Sequence, residues 1–463
     1  MSPNPLHLTA AMAVLAAQQV SSQTFTLATS GDFIGELVAT NNTRVTAVWN
    51  LIRAADFGFF NMEGSLFTSN MSTSSSNSPD GTIIYPASEN GKSNTYGDVG
   101  GGPYYDPSQA TLLAAAGFTL ASHANNHAFD YAEAGMFATQ HALSAANVTF
   151  AGSGASLQEA RKPAIRQSVK NGNGTRLALV AAAGTHTLQS VAGAGDDEFR
   201  PRPGISALRA SVVTVVDAAG FAAIKAVARA QGQVLGDDDS TADIVLYTGQ
   251  YPYAWSTWRL ASDEQPVGLA WAVNEDDYVG ILDSVRAARD EADAVVFSLH
   301  AHESFAGVDD SANPLPLEAT VPAAYTQNVS RAAVDAGADV VLVHGPHHLR
   351  GVEVYAGKPI FYGLGSLTYS LGLHYGGYDL PIEWDDGVVA VTRFEDGVLA
   401  DVELHPLVHG QLTNDTESGE SALPKIAPPA QAVRILEHLK TVSEPFGTTI
   451  AVREGVGYVE LGL

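Results

Sequence analysis

Five of the chain's 14 histidines fall into two short segments, Ser298-Leu299-His300-Ala301-His302-Glu303 and His344-Gly345-Pro346-His347-His348, which lie within 49 residues of one another. Imidazole nitrogen mixed with carboxylate oxygen is the donor set that Zn²⁺, Mn²⁺ or Fe²⁺ accepts. In the second segment Gly345 and Pro346 fix a tight turn, so the imidazoles of His344 and His347 can converge on one ion as a rigid chelate. His348, beside His347 but pointing elsewhere, is read as structural. No cysteine occurs anywhere in the 463 residues. That excludes disulfide scaffolds, thiolate zinc sites, iron–sulfur ligation and cysteine nucleophiles, and leaves His, Asn, Asp and Glu for metal or base chemistry.

Three earlier segments carry residues of the same kinds. Gly31-Asp32 and Asn61-Met62-Glu63-Gly64 each present a carboxylate suited to a hard cation, although a lone Gly-Asp is most often only a turn. Ser122-His123-Ala124-Asn125-Asn126-His127-Ala128-Phe129-Asp130 packs two amides, imidazole and a carboxylate into a strand–helix junction. Helix capping by Asp130 or Asn126 is one reading of it. Capping needs only one of them, and the surplus points to a site. Competing chemistries lack their motifs. Gly91-Lys92-Ser93 has Pro86 where a phosphate-binding loop needs its first glycine. Gly152-Ser153-Gly154 has Leu157 where a dinucleotide fingerprint needs its last, and there is no Gly-x-Ser-x-Gly elbow.

These segments need elements that bring them to one place. Short apolar runs alternate with helical periodicity from about Thr24 onward, the pattern of a layered α/β domain. The expected strands are Thr24–Thr29, Phe57–Phe60, Phe118–Ala121, Leu177–Ala181, Ala294–Leu299, Val340–Val343 and Ile360–Tyr362. Helices are expected at Val45–Ala55, Pro107–Ala116, Ala132–Ala146, Asp277–Asp290, Pro322–Ala336 and Gln431–Thr441. Each polar segment follows a strand, where α/β sheets assemble their sites. Residues 70–107 read as a long surface excursion, as do 193–204 and the acidic 236–239. One main domain is expected over 24–408, with residues 409–463 supplying a linker, a last helix and a terminal strand.

The chain carries 24 Lys and Arg against 50 Asp and Glu, a formal charge of −26. Such a chain repels nucleic-acid backbones unless a strong basic patch intervenes, and none is present. The apolar run of residues 8–16, followed by Val20-Ser21-Ser22, reads as a secretory signal peptide over residues 1–22, with an N-terminal helix as the other reading. It is too short to span a bilayer, and no membrane span is expected. Secretion gives meaning to six sequons, at Asn41, Asn70, Asn147, Asn173, Asn328 and Asn414, as N-glycan acceptors in surface loops. Tyr104, Tyr105, Tyr251, Tyr253, Trp255 and Trp258 either line a substrate cleft or pack in the core.

Taken together, Gly31-Asp32, Asn61-Met62-Glu63, the 124–131 segment, His300 to Glu303 and His344-Gly345-Pro346-His347 resemble the CapA family, capsule-synthesis or poly-γ-glutamate-associated proteins. Gly152-Ser153-Gly154, Pro203-Gly204-Ile205, residues 351–366 and Ser443-Glu444-Pro445-Phe446-Gly447 extend the resemblance over roughly residues 25–450. It implies a four-layer αββα sandwich like that of the metallo-dependent phosphatases, holding one or two divalent ions (Zn, Mn or Fe). Carried over position by position, it implies Asp32 and Glu63 as carboxylate ligands, Asn126 as the amide ligand, and His300, His344 and His347 as imidazole ligands. His127 would protonate a leaving group or steady an oxyanion, with Asp130 and Glu303 as the other catalytic candidates. Calcineurin-like phosphoesterases carry Asp-x-His in the first motif. Here it is Asp32-Phe33-Ile34, one imidazole short, and Glu63 replaces the usual bridging Asp.

The expected function is therefore a secreted metal-dependent hydrolase acting on a phosphoester or a γ-glutamyl amide of a polymeric or small-molecule substrate. The alternative is a non-hydrolytic protein that binds or exports an anionic polymer such as poly-γ-glutamate through the same metal cleft.

Overall fold

The computed structural model describes residues 24–37, 43–68, 102–170, 174–235, 243–247, 255–305, 311–370, 374–375, 378–410 and 423–461. The signal-peptide segment, the sequons Asn41, Asn70, Asn173 and Asn414, Tyr251, Tyr253, the Gly91–Ser93 segment, the acidic 236–239 run and most of the 70–107 excursion lie outside them.

Runs such as Ala-Val-Val-Phe-Ser-Leu-His and Val-Val-Leu-Val-His hold almost no charge and are rich in branched and aromatic residues, so they suit strands covered on both faces. Every residue of Phe57–Met62, Ala294–His300 and Val340–His344 is buried. All seven expected strands are present. Helices occupy Thr43–Ala54 (α1), Ser108–Ala116 (α2), Ala132–Ala145 (α3), Leu157–Arg161 (α4), Ala218–Ala230 (α5), Glu275–Glu291 (α6), Ala324–Asp335 (α7) and Pro429–Ser443 (α8). The six expected helices are among them. In α6 the Asn274 side chain accepts the Asp277 N–H, and Glu275, Asp276 and Asp277 face the positive end of the helix dipole.

Two large sheets form the frame. The ten-stranded sheet runs 450–453, 456–459, 398–408, 386–395, 24–34, 57–62, 120–122, 149–151, with 366–369 paired to 24–34 and 425–426 to 398–408. Its members from 24–34 to 149–151 are parallel. The six-stranded sheet runs 352–355, 358–361, 340–344, 294–300, 176–183, 164–167, with a parallel centre. One core fills the space between the sheets, with Leu27, Phe57 and Phe59 facing Leu179, Val296 and Leu342. A second lies under α1, α2 and α3, around Trp49, Phe60 and Leu113. A third lies under α6 and α7, around Ile281, Phe297 and Val329. Helix, sheet, sheet and helix are thus the four layers that the resemblance implied.

Three parts differ from expectation. The strands 386–395 and 398–408 pair as a long antiparallel hairpin beside 24–34, and the 456–459 strand hydrogen-bonds to 398–408. The C-terminal segment is therefore woven into the main sheet instead of being appended to it. The strands 210–216, 244–247, 255–260 and 268–273 make a separate four-stranded sheet. This sheet packs on α5 through Phe221, Ile244 and Leu246, with Trp258 against them, so that Trp258 is a packing residue. Of the two described sequons, Asn147 is exposed in the turn after α3, whereas Asn328 is exposed within α7 and not in a loop. No helix among the described residues is long and apolar enough to cross a membrane.

Helix α8 closes the core between the sheets with the fully buried Ile435, Leu436 and Leu439. Leu436→Ala is expected to cost about 2–5 kcal/mol by leaving a cavity. Urea denaturation measures it, and a loss below about 1 kcal/mol would show that α8 is not part of the cooperative core.

Candidate metal centre

Register brings the polar segments together. In the larger sheet Asp32 stands opposite Asn61, and Asn61 opposite Ser122. In the smaller sheet His300 stands opposite both Ala183 and His344. All are at or near the carboxyl ends of parallel strands. Asp32 was expected just after a strand, yet the strand runs on to Ile34, with a register shift between Thr29 and Asp32. Gly31 permits this: a Cβ there would lie 1.7 Å from the Gly365 carbonyl oxygen, so only glycine allows the close approach from which Gly365 accepts the Asp32 N–H at 3.2 Å.

Asp32 is fully buried and shared. Its Oδ1 accepts the Asn61 amide at 2.8 Å and lies 3.7 Å from His344 Nδ1. Its Oδ2 accepts the Gly345 N–H at 3.1 Å and lies 3.2 Å from His347 Nδ1. The two imidazoles of the His-Gly-Pro-His turn thus meet one carboxylate from either side. His347 reaches its place with a left-handed backbone (φ 59°), a strain that non-glycine residues accept where surrounding structure enforces it. Its ring packs on Tyr369 and Trp384.

Glu63 is buried, and neither of its carboxylate oxygens has a hydrogen-bond partner among the described residues. Three imidazole nitrogens surround Oε1 without touching it: His347 Nε2 at 3.7 Å, His300 Nε2 at 3.9 Å and His127 Nε2 at 4.0 Å. A buried carboxylate left this way is costly unless a cation completes it. Metal–nitrogen bonds of about 2.0–2.1 Å set neighbouring donors roughly 3.0–3.4 Å apart. The structure offers such spacings at His300 Nδ1 to His344 Nδ1, 3.0 Å, and His302 Nε2 to His300 Nε2, 3.1 Å. Three sets of donors converge: Asp32, His300 and His344; Glu63, His300 and His302; Asp32, Glu63 and His347. These residues fit a divalent ion.

The Ser122–Asp130 segment divides its labour. Asn125 is structural, donating to Asn61 Oδ1 and to the Met62 carbonyl and accepting the His127 N–H. Asn126 leaves its amide oxygen buried and unpartnered, as an amide ligand would before its ion arrives. Asp130 Oδ2 lies 2.7 Å from His127 Nδ1, which leaves Nε2 toward Glu63. No side chain caps α3, so capping does not explain these residues. His348 bonds to the Leu349 carbonyl and joins none of the donor sets, in keeping with its structural reading.

Glu303, expected as catalytic, is not brought into the cluster. Its Oε2 accepts Tyr325 Oη at 2.6 Å and Thr185 Oγ1 at 2.9 Å, and Thr185 Oγ1 in turn accepts the His302 N–H at 2.8 Å. Two participants escaped the sequence reading. Asn61 orients Asp32, a role that only the strand pairing reveals. His302 was visible in its segment, but alternation along an extended chain cannot say which neighbour of His300 turns inward.

Burial sets the electrostatics. His300 is held far below the usual imidazole range, His344 is lowered to about 4 and His302 to about 3, all chiefly by desolvation. They are neutral and able to donate lone pairs. Burial raises the Glu63 carboxyl strongly, and the Asp32 charge adds to it. Burial works to raise Asp32 as well, but hydrogen bonding and charge from His347 prevail and lower it.

Residues 104–369 match the family model described as bacterial capsule synthesis protein PGA_cap. An uncharacterized protein of Sinorhizobium fredii, y4sH, is 30% identical over 477 residues, covering 94% of this chain and 93% of that protein. The capsule biosynthesis protein CapA of Bacillus anthracis is 31% identical over 123 residues, 26% of each chain. Among solved structures, a phosphatase from Mycoplasma pneumoniae aligns over 84% of this chain and 95% of its own at 10% identity, with a TM-score of 0.35.

Glu63→Gln removes a buried ionisable carboxyl that has no hydrogen-bond partner among the described residues, so the metal-free protein at pH 8 is expected to be at least as stable as the parent, while added Mn²⁺ no longer raises its Tm. Thermal unfolding with and without chelator checks both halves. His123 tests the effect of burial away from the ligands: its Nδ1 lies 2.8 Å from Ser153 Oγ, and desolvation lowers it to about 4. The unfolded chain protonates this residue near pH 6.5 and the folded chain only near 4. Its contribution is present above pH 6.5 and lost as pH falls through that window. His123→Gln should therefore lose about 2 kcal/mol less than the parent between pH 8 and pH 5, as read from denaturation at the two pH values.

Proposed function

Because the chain belongs to the bacterial capsule synthesis protein PGA_cap family, we propose that it is a metal-dependent hydrolase that cleaves a phosphoester or a γ-glutamyl amide of an extracellular or cell-wall polymer. The observation that carries this reading is the buried Glu63 carboxylate, unpartnered and ringed by three imidazoles. A bound divalent ion supplies Lewis acidity and a water acidic enough to serve as nucleophile near neutral pH. Asp32, Glu63, His300, His344 and His347 are the residues to hold it, and the buried, unpartnered amide oxygen of Asn126 is a further candidate.

The remaining roles belong to the chain itself. Asp130 fixes His127 through Nδ1 and directs Nε2 toward the Glu63 side of the centre, where it can give a proton to a leaving group. His127 is also the ring of this pair that solvent reaches, with its side chain 28% exposed. Tyr369 and Trp384 wall the other side, against His347. The same reading places the protein outside the cytoplasm, supported by the apolar run at residues 8–16 and the small residues Val20 and Ser22 after it.

Turnover on a panel of phosphoesters, γ- and α-glutamyl peptides and acidic glycans tests the proposal, with metal content measured on every sample. His347→Ala should lose metal and activity together. His127→Ala should keep its metal and lose about 10²–10⁴ in kcat/KM, and Asp130→Asn should fall between it and the parent. A metal-replete protein that binds an anionic polymer and turns over nothing on the panel would overturn the hydrolase in favour of a holding or export role.

A further inference from the structure

We propose that His302 is a metal ligand, completing with Glu63 and His300 a second cation position beside the one formed by Asp32, Glu63 and His347. The inference rests on the metal-centre reading above and deepens it. Two residues beyond Asp32 on the same strand, Ile34 is buried against Tyr369 and Leu380 in an apolar cluster. The strand that carries Asp32 has nothing further to offer an ion.

A nitrogen for a second ion comes instead from the segment that follows the 294–300 strand of the other sheet. His302 Nε2 lies 3.1 Å from His300 Nε2, and His300 Nε2 lies 3.9 Å from Glu63 Oε1. The donor atoms of Glu63, His300 and His302 all fall within 4.8 Å of one another. Glu63 Oε1 and Oε2 are the buried, unpartnered acceptors on which that set closes.

His302 is held for this position. Its N–H is bound by Thr185 Oγ1 at 2.8 Å, and Thr185 is itself held by Glu303. Its carbonyl accepts the fully buried Arg350 guanidinium at 2.6 Å. Gly345, with φ 124°, leaves the room its ring needs, since a Cβ there would lie 2.9 Å from His302 Cδ2 and 3.1 Å from Nε2. A surface histidine without a role would not require a buried arginine, a bonded threonine and a glycine to hold it. His300 then turns Nε2 to this position, while its Nδ1 faces His344.

The test is Co²⁺ titration of chelator-stripped full-length protein, followed by calorimetry and by the visible absorption of the bound ion. The parent should take up two ions per chain. His302→Ala and His302→Gln, matched to it by circular dichroism, should retain one ion at parental affinity, bind the second at least about 100-fold more weakly, and lose one component of the visible spectrum. Thr185→Val should keep both ions and weaken the second by about 10-fold or more. A parent that binds only one ion, or histidine variants that keep both with unchanged affinity and spectrum, would overturn the inference and leave the hydrolase reading standing. A parent that binds none overturns both.

Discussion

The structure turns on two carboxylates buried where the carboxyl ends of the parallel strands of two sheets meet. Asp32 and Glu63 are removed from water, and among the imidazoles around them burial keeps His300 and His344 neutral. No lysine or arginine side chain pairs with either carboxylate among the described residues. Burying charge on these terms opposes folding, and a divalent ion is the simplest charge that reverses it. The helices, the hairpin and the interlayer core can be read as the support that holds this unfavourable arrangement open.

Precision comes from backbone more than from side chains. Gly31 lets two strands approach so closely that the Asp32 N–H donates to the Gly365 carbonyl. Gly345 and the left-handed His347 turn two rings of one short segment toward the same carboxylate. Arg350, the largest fully buried side chain among the described residues, donates to the carbonyls of His302 and Glu303. A guanidinium is expensive to bury, and here it fixes the path of the chain through the centre while adding positive potential behind it.

Much of this was legible in the sequence because parallel strands leave a strong trace: continuous apolar runs, each followed by the polar residues it delivers. That trace gave the strand ends and the two histidine segments, while the four-layer frame and the grouping of Asp32 and Glu63 with His300, His344 and His347 came through the resemblance. The antiparallel hairpin at 386–408 leaves a weaker mark, since its partner strand is set by topology and not by local pattern. The four-stranded sheet around α5 escaped because its strands are half-exposed and interrupted by loops. The position of Glu303 beside the cluster, bonded to Thr185 and Tyr325, has a related origin. Its segment is right, but whether a residue faces the ion or the supporting shell depends on Thr185 and Tyr325, more than twenty residues away on one side and over a hundred on the other.

The charge balance gains a sharper meaning beside the centre. A chain of formal charge −26 repels a polyanion at long range, and salt limits that repulsion to within about 8–10 Å. Inside that distance the site without an ion offers two buried carboxyl side chains and no lysine or arginine paired with them among the described residues, so nothing there reverses the repulsion. With divalent ions in place, the same donors surround the strongest local positive charge on that face, and field lines from a low-dielectric setting reach an approaching phosphate or γ-carboxylate with little screening. For the proposed anionic polymer, ion binding is therefore a condition of approach as well as of chemistry.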